Sequence, residues 1–359
     1  MSAVAEVHPG GLQRIDGWRV RSARPGALED CTLIIATFRR PHEVRSLLTR
    51  LVELPDPPGE VVIVDGSPDQ DTEDEVVRWL ARVAIPFELI YVASAPGLTR
   101  QRNVGVDTST RDFVFFLDDD CMPEPGYFGN MRQALVDDRE KKVVAVCGTI
   151  VNAMNQPVPL RWRGRVLLGI IPKCDGGTYF PGGVSVPHSF SAPFEGVRKV
   201  DFIPGGASAY RRSIFDKHRF SSFFSGYAQG EDLEMSLRIS RDGELLWCGD
   251  APVAHLHAEG GRPGLFQKGR MEIRNRFFIW RRHVPNASIA NRARFWLDVA
   301  YVAGYDLMGL IFRSHRARRA SHALGIGKGA IDCLFSPPRH EEPPARRQYQ
   351  AFLRDKTVS

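Results

Sequence analysis

No C-x-x-C pair and no regular spacing links the six cysteines at positions 31, 121, 147, 174, 248 and 333. Neither a zinc site nor a disulfide framework is therefore indicated, and reduced thiols in a cytosolic protein are the simplest reading. No G-x-G-x-x-G follows the first strand-like run and no Walker A lysine loop occurs, which disfavours dinucleotide dehydrogenases and P-loop enzymes. The first 27 residues lack an apolar h-region, so no secretory signal is expected. No internal repeat is visible. Uninterrupted apolar runs of membrane-spanning length are also missing: Phe295 to Phe312 comes nearest, but Asp298 and Asp306 break it. Charge at a bilayer centre is costly, so this stretch predicts a packed or interfacial helix.

What is present is the composition of a globular chain. Hydrophobic residues make up 43% and charged residues 25% of 359 positions, enough to bury one large domain with an appendage, or two domains. The net charge of +6 is placed unevenly, with arginine concentrated after residue 260. That bias predicts an anionic surface or a phosphate-bearing partner for the C-terminal part.

The most informative stretch runs from Asp112 to Cys121. Five apolar residues, Phe113 to Leu117, end in Asp118, Asp119 and Asp120. Such a run reads as a strand buried on both faces. Three ionised carboxylates are too costly to bury unpaired, so they should project into the crevice where α/β sheets place ligands. A divalent cation held by one or two of them together with substrate phosphates would relieve their repulsion. A solvated acidic turn is the bland reading of the triplet alone.

Upstream, short β-branched runs alternate with helical patterns. Cys31 to Thr37, Glu60 to Asp65 and Phe87 to Val92 read as strands; Val44, Leu47, Leu48, Leu51 and Leu54 mark a helix, and Glu73 to Val83 and Leu98 to Val106 two more. Alternation of this kind predicts right-handed crossovers and a mostly parallel central sheet flanked by helices. Downstream come a helix at Tyr127 to Val136, a strand at Val143 to Val146 and Gly/Pro-rich sequence from Pro157 to Pro193, the composition of binding loops. Leu233, Leu237 and Ile239 mark a helical face, placing Glu231 and Asp232 in its first turn, where capping alone could account for them. Ala251 to His257 reads as an extended segment with His255 and His257 on one side. Met271 to Arg282 is an arginine-rich helix.

Taken in order, Thr37-Phe-Arg-Arg, Val64-Asp-Gly-Ser67, Gly97 to Asn103, Leu117-Asp-Asp-Asp120, Gly205-Gly206, Gly230-Glu-Asp232 and Val253-x-His255 resemble the family 2 inverting glycosyltransferases of GT-A fold, in particular bacterial rhamnosyl- and galactosyltransferase-like members. The resemblance covers about residues 30 to 280, and Arg274-Asn-Arg276 extends it. It implies a metal-dependent transferase that moves a hexosyl or deoxyhexosyl group from a nucleotide-diphosphate donor to a glycan or lipid-linked acceptor in cell-surface polysaccharide synthesis. On this resemblance Thr37, Arg39 and Arg40 open the nucleotide pocket and Asp65 meets the base. The usual asparagine is replaced by Arg39. Arg102 and Asn103 lie near phosphates and sugar, and Gly205 and Gly206 let backbone approach the sugar. Asp118, Asp119 and Asp120 are the DXD motif. Asp118 and Asp120 serve Mg2+ or Mn2+, with His255 or His257 as a further contact. Asp232 is the catalytic base and Glu231 orients the acceptor.

The expected organisation is an N-terminal arm at 1–29 and a GT-A domain at 30–265, divided into a nucleotide-binding half at 30–120 and an acceptor half at 121–265. A basic, aromatic helical region at 266–335 and a loose tail at 336–359 complete it. The basic helices agree with a cytoplasmic protein resting peripherally on the anionic inner face of the cell membrane; nucleic acid is not an expected partner. Two alternatives compete. A nucleotidyltransferase would need glycines in the Thr37 to Pro41 loop, and a non-catalytic glycan-binding protein would have lost the acids.

Overall fold

The computed structural model describes residues 13–21, 27–258, 263–312, 316–339 and 347–357. Its first half alternates β1 (Gln13–Val20), β2 (Leu28–Thr37), α1 (Pro41–Glu53), β3 (Pro58–Asp65), α2 (Asp71–Leu80), β4 (Glu88–Ala93), α3 (Leu98–Thr108) and β5 (Phe113–Leu117). There follow β6 (Cys121–Pro123), α4 (Tyr127–Val136), β7 (Val143–Ile150), α5 (Leu160–Leu167), β8 (Tyr179–Phe180), β9 (Val184–Ser185), β10 (Val197–Val200) and β11 (Ala207–Arg211). The remainder is α6 (Glu231–Ile239), β12 (Glu244–His255), α7 (Leu265–His283), α8 (Ile289–Phe312), α9 (Arg316–Phe335) and β13 (Tyr349–Asp355).

One large sheet has the strand order β10-β12-β7-β11-β5-β2-β3-β4-β1-β13. Successive side chains on a strand point to opposite faces, and the central strands divide accordingly. Leu33, Ile35, Val61 and Ile63 pack with α1, α2 and α4 on one face; Ile34, Val62 and Val64 pack with α3 and α6 on the other. Burial on both faces explains the continuous apolar runs of β3 and β5. The expected parallel arrangement holds for β5-β2-β3-β4. Beyond it the sheet is mixed, because β11 runs antiparallel to both β5 and β7. Parallel strands carried on short crossovers bring the ends of β2, β3 and β5 to one rim.

Two stretches expected to be loose are strands. Within the 1–29 arm, β1 pairs antiparallel with β4; within the 336–359 tail, β13 pairs parallel with β1. Ile15 and Trp18 are buried, and Trp18 stacks on Tyr91 with ring centroids 5.3 Å apart. The backbone N–H groups of Gln348 and Tyr349 donate to the buried Asp107 carboxylate, fixing the start of β13. Each strand is stabilised by a partner far away in sequence, so local pattern does not reveal it.

Three of the C-terminal arginines turn inward. Helices α7, α8 and α9 share a core built on Ile273, Phe277, Trp280, Phe295, Val302 and Ile326. Arg282 lies 3.0 Å from the fully buried Glu234 of α6, which also accepts from Arg238, and Arg276 lies 2.8 Å from Asp298. Arg274 stacks over Phe223. Arg276 and Arg282 hold helices together and Arg274 packs α7 on Phe223, whereas Arg281, Arg292 and Arg294 are exposed; Arg313, Arg316 and Arg318 have side chains outside the described residues. Asp298 and Asp306, which interrupt the apolar stretch, face inward. Among the described residues no helix is long and apolar enough to cross a membrane.

Candidate active site

The rim at the ends of β2 and β5 opens into a cavity of about 630 Å3. Its walls include Thr37, Arg40, Gln101, Arg102, the acids Asp118 to Asp120, Gly205, Gly206, Glu231, Asp232 and His255. A second cavity, of about 650 Å3, adjoins it, and Ile150, Pro204, Gln229, Gly230, Asp232 and His255 line both.

The three adjacent acids face three different environments. Asp119 is buried against Thr37 Oγ1 at 2.7 Å and Arg40 Nη1 at 2.7 Å. Burial nevertheless outweighs those partners and pushes its carboxyl up to about 6. Asp120 faces His255 Nε2 at 3.2 Å and accepts from the Ala258 N–H at 2.9 Å. Desolvation is its largest single influence, but the His255 hydrogen bond and charge, with the Ala258 N–H, hold it below the usual aspartate range. Asp118 is the most exposed of the three. Cys121 lies with Asp120 and His255 in a cluster whose ligand atoms fall within 4.8 Å of one another. Burial raises the thiol well above its ordinary range. A hard divalent ion favours carboxylate oxygen over a protonated thiol. Asp120 and His255, with the open Asp118 beside them, are therefore the donor set that fits Mg2+ or Mn2+.

The second acidic pair begins α6. Gly230 adopts a left-handed backbone, φ 91°, that turns the chain into the helix. Glu231 meets Arg102 Nη1 at 2.8 Å, and the Arg102 guanidinium also lies 3.4 Å from Asp118. One buried arginine thus links both acidic groups. Burial, helped by the neighbouring Asp232, pushes Glu231 up to about 8. Burial also raises Asp232, opposed by N–H donation from Leu233 at 2.7 Å and Gly205 at 3.2 Å and by Arg102. Asp232 thus satisfies one N–H of its own helix's first turn while still lining the cavity, whereas Glu231 turns to Arg102.

Gly205 and Gly206 are small for a reason visible inside the protein. A Cβ on Gly205 would stand 2.6 Å from Arg102 Nη1, and one on Gly206 would stand 2.2 Å from Asp118 Oδ2. Other expected site residues lie off the cavity wall. Asp65 is buried, accepting from Ser67 N–H and Oγ and from Tyr91 O–H. Asn103 makes two 2.9 Å bonds to the backbone of Phe220. Arg39 points outward, 3.8 Å from Asp69, on a left-handed backbone with φ 56°. His257 also has positive φ, so the extended segment stops at His255, yet the two rings remain 4.1 Å apart and His257 lines the second cavity.

Sequence reasoning passed over two amides. Gln101 Nε2 donates to the carbonyls of Thr37 and Val64, tying two strand ends together. Asn275 of α7 donates to the Gln229 carbonyl and steadies the loop that delivers Asp232. Gln101 stands in the quoted Gly97 to Asn103 segment, four residues beyond a glycine whose N–H it accepts. Asn275 has only its place between two arginines as a signal.

A parallel nucleotide-binding type of sheet, with acids at the end of a buried strand and another pair at a helix start, is the architecture of a GT-A glycosyltransferase. Residues 32–219, just over half of the 359, match glycosyl transferase family 2, and the chain belongs to that family. That match contains the Asp118 to Asp120 acids but ends before Asp232 and His255. An uncharacterised glycosyltransferase of Haemophilus influenzae is 36% identical over 95 residues, 26% of this chain. That match spans 31% of the relative's length. Among solved structures, the mannosyltransferase PcManGT from Pyrobaculum calidifontis, in complex with GDP-Man and Mn2+, is similar with a TM-score of 0.52 at 16% identity, over 89% of this chain and 91% of that one. GalNAc-T7 with UDP, GalNAc and Mn2+ gives 0.51 at 14% identity, over 87% of this chain and 58% of that one. At these identities the likeness establishes the fold.

Proposed function

We propose that the chain is a metal-dependent inverting glycosyltransferase that moves a hexosyl or deoxyhexosyl group from a nucleotide-diphosphate donor to a hydroxyl of a glycan or lipid-linked acceptor. The donor would occupy the acid-walled first cavity and the acceptor the second. The observation that carries this reading is the position of Asp232 in the wall of both cavities. An inverting displacement needs one carboxylate beside the attacking hydroxyl, on the side of the sugar opposite the leaving diphosphate, and the partition is where such a group belongs.

In this reading Asp232 accepts the hydroxyl proton as the oxygen attacks the anomeric carbon, a contribution typically worth about 10²–10⁴-fold. Two backbone N–H groups orient its carboxylate. Arg102, held by Glu231, presents a guanidinium that favours phosphate oxygens. Asp120 and His255, with Asp118 nearby, would hold Mg2+ or Mn2+, which supplies compensation for the charge developing on the departing nucleoside diphosphate. Thr37 and Arg40 fix Asp119, and through it the shape of the strand end. The catalytic unit would be residues 30–265, in nucleotide-binding (30–120) and acceptor (121–265) halves, with helices 266–335 docked on it. A role in cell-surface polysaccharide synthesis at the cytoplasmic membrane face accords with the family.

The test is a calorimetric panel of nucleotide sugars with and without Mn2+, on wild type and Asp120→Ala. One donor should bind with metal, and the variant should lose the metal-dependent part. Binding of a nucleoside triphosphate in place of every nucleotide sugar would defeat the reading and favour a nucleotidyltransferase.

A further inference from the structure

The second cavity has a charge character of its own. Helix α5 lends it Arg161, Trp162 and Arg165, and α7 lends it Lys268, Glu272 and Arg276. Arg165 and Arg276 converge on a single fully buried carboxylate, Asp298, at 2.6 and 2.8 Å. Two guanidiniums against one carboxylate leave one positive charge uncompensated within this trio. Arg165 Nη1 is buried without a hydrogen-bond partner among the described residues. A guanidinium edge in that condition retains an unmet demand for an acceptor.

Two further cations face the same space. Among the described residues neither Arg161 nor Lys268 forms an ion pair, and neither donates a side-chain hydrogen bond. Glu272 does not neutralise them outright, because the one carboxylate is shared among Arg276, Arg161 and His322, which lies 3.5 Å from it and 2.6 Å from Asp306. His322 is raised by its Glu272 hydrogen bond, which favours its charged form and draws on the same carboxylates. His188 contributes no charge here: burial lowers it to about 4, so it is neutral. The cavity therefore holds more fixed positive charge than its own acids balance.

We propose that this cavity is an anion-binding acceptor site, taking an acceptor that carries a phosphate group on or next to the sugar, with Arg161 and Lys268 as its phosphate contacts and Arg165 as the buried guanidinium behind them. The proposal rests on the glycosyltransferase reading and deepens it by naming the acceptor class. Two sources share this chemistry, a soluble sugar phosphate and a lipid-borne phosphate headgroup. The second has a specific motive. Leu160 and Leu167, at the ends of the helix that carries Arg161 and Arg165, and Leu168 just beyond it are exposed apolar side chains, with Leu167 88% exposed.

The experiment uses the full chain with Mn2+ and whichever of UDP, GDP and dTDP binds, at saturation, so that the first cavity is filled. Glucose 1-phosphate, glucose, and vesicles of phosphatidylcholine with or without phosphatidic acid are then titrated against wild type and the Arg161→Ala/Lys268→Ala double variant. A phosphate-bearing probe should bind wild type, its neutral counterpart should not, and the double variant should weaken binding by roughly ten- to a hundredfold while leaving nucleotide affinity unchanged. Binding of glucose 1-phosphate supports the soluble source, and binding only to phosphatidic acid vesicles supports the lipid source. If the nucleotide binds but neither phosphate probe does, or if the double variant binds like wild type, the anionic acceptor is overturned and the glycosyltransferase reading survives. If no nucleotide binds with Mn2+, both fall.

Discussion

The two cavities share a wall and have opposite charge. The first gathers Asp118, Asp119, Asp120, Glu231 and Asp232 against Arg40 and Arg102; the second gathers Arg161, Arg165, Lys268 and Arg276 against Glu272 and the shared Asp232. An acid-rich cleft with too few cations suits a metal–diphosphate unit, whereas a base-rich cleft with too few acids suits an anion. Charge also differs in how it is held. In the first cavity, each buried acid has a specific partner at short range. In the second, a buried trio stands behind two cations that form no ion pair among the described residues. On the proposed reading, the two sides of the partition serve different halves of one transfer.

The largest expected effect removes support from the second cavity. Asp298→Ala leaves Arg165 and Arg276 without their common carboxylate in a fully buried place, and breaking such a pair costs about 3–5 kcal/mol. Urea unfolding should record that loss; an unchanged midpoint would mean that the trio is not a structural support. A smaller effect should be confined to the first cavity. Gly206→Ala places a Cβ against the Asp118 carboxylate, and overpacking typically costs about 1–3 kcal/mol. Because Asp118 is half-exposed it can swing away, so the loss should appear mainly as weaker metal-dependent nucleotide binding, with little change in thermal stability. Equal weakening of phosphate-probe binding at the second cavity would blur the division.

The division also marks what was legible in the sequence. The alternation of β2, α1, β3, α2, β4, α3 and β5 could be read because each element carries its own periodicity. The acids at the end of β5 and the start of α6 could be read because a charged group directly after an apolar run has few inexpensive places to go. The edge strands were hidden. Trp18 finds its buried surface on Tyr91 and β1 its second partner in β13, from the other end of the chain. The arginines of α7 looked like a surface, since sequence cannot show that Arg276 and Arg282 meet Asp298 and Glu234 from other helices. Asp65 and Asn103 fitted motif positions, yet inside the protein their side chains also hydrogen-bond Ser67, Tyr91 and Phe220, which sequence could not show. The second cavity was illegible for the same reason, being assembled from β7, α5, β9, α6, β12, α7, α9 and loops.

Everything converges on Asp232, the one carboxylate among the described residues that lines both cavities. The most direct test follows donor hydrolysis against pH for wild type and Asp232→Asn, with nucleotide affinity measured in parallel. Burial raises Asp232, and a base works only when ionised, so activity should be lost as pH falls through a value above the ordinary aspartate pKa of about 3.9. Asp232→Asn should bind nucleotide as wild type does while its rate falls by about 10²–10⁴-fold and that acid limb disappears. A variant that keeps both its rate and its acid limb would contradict the account, and the base would have to be sought elsewhere on the partition.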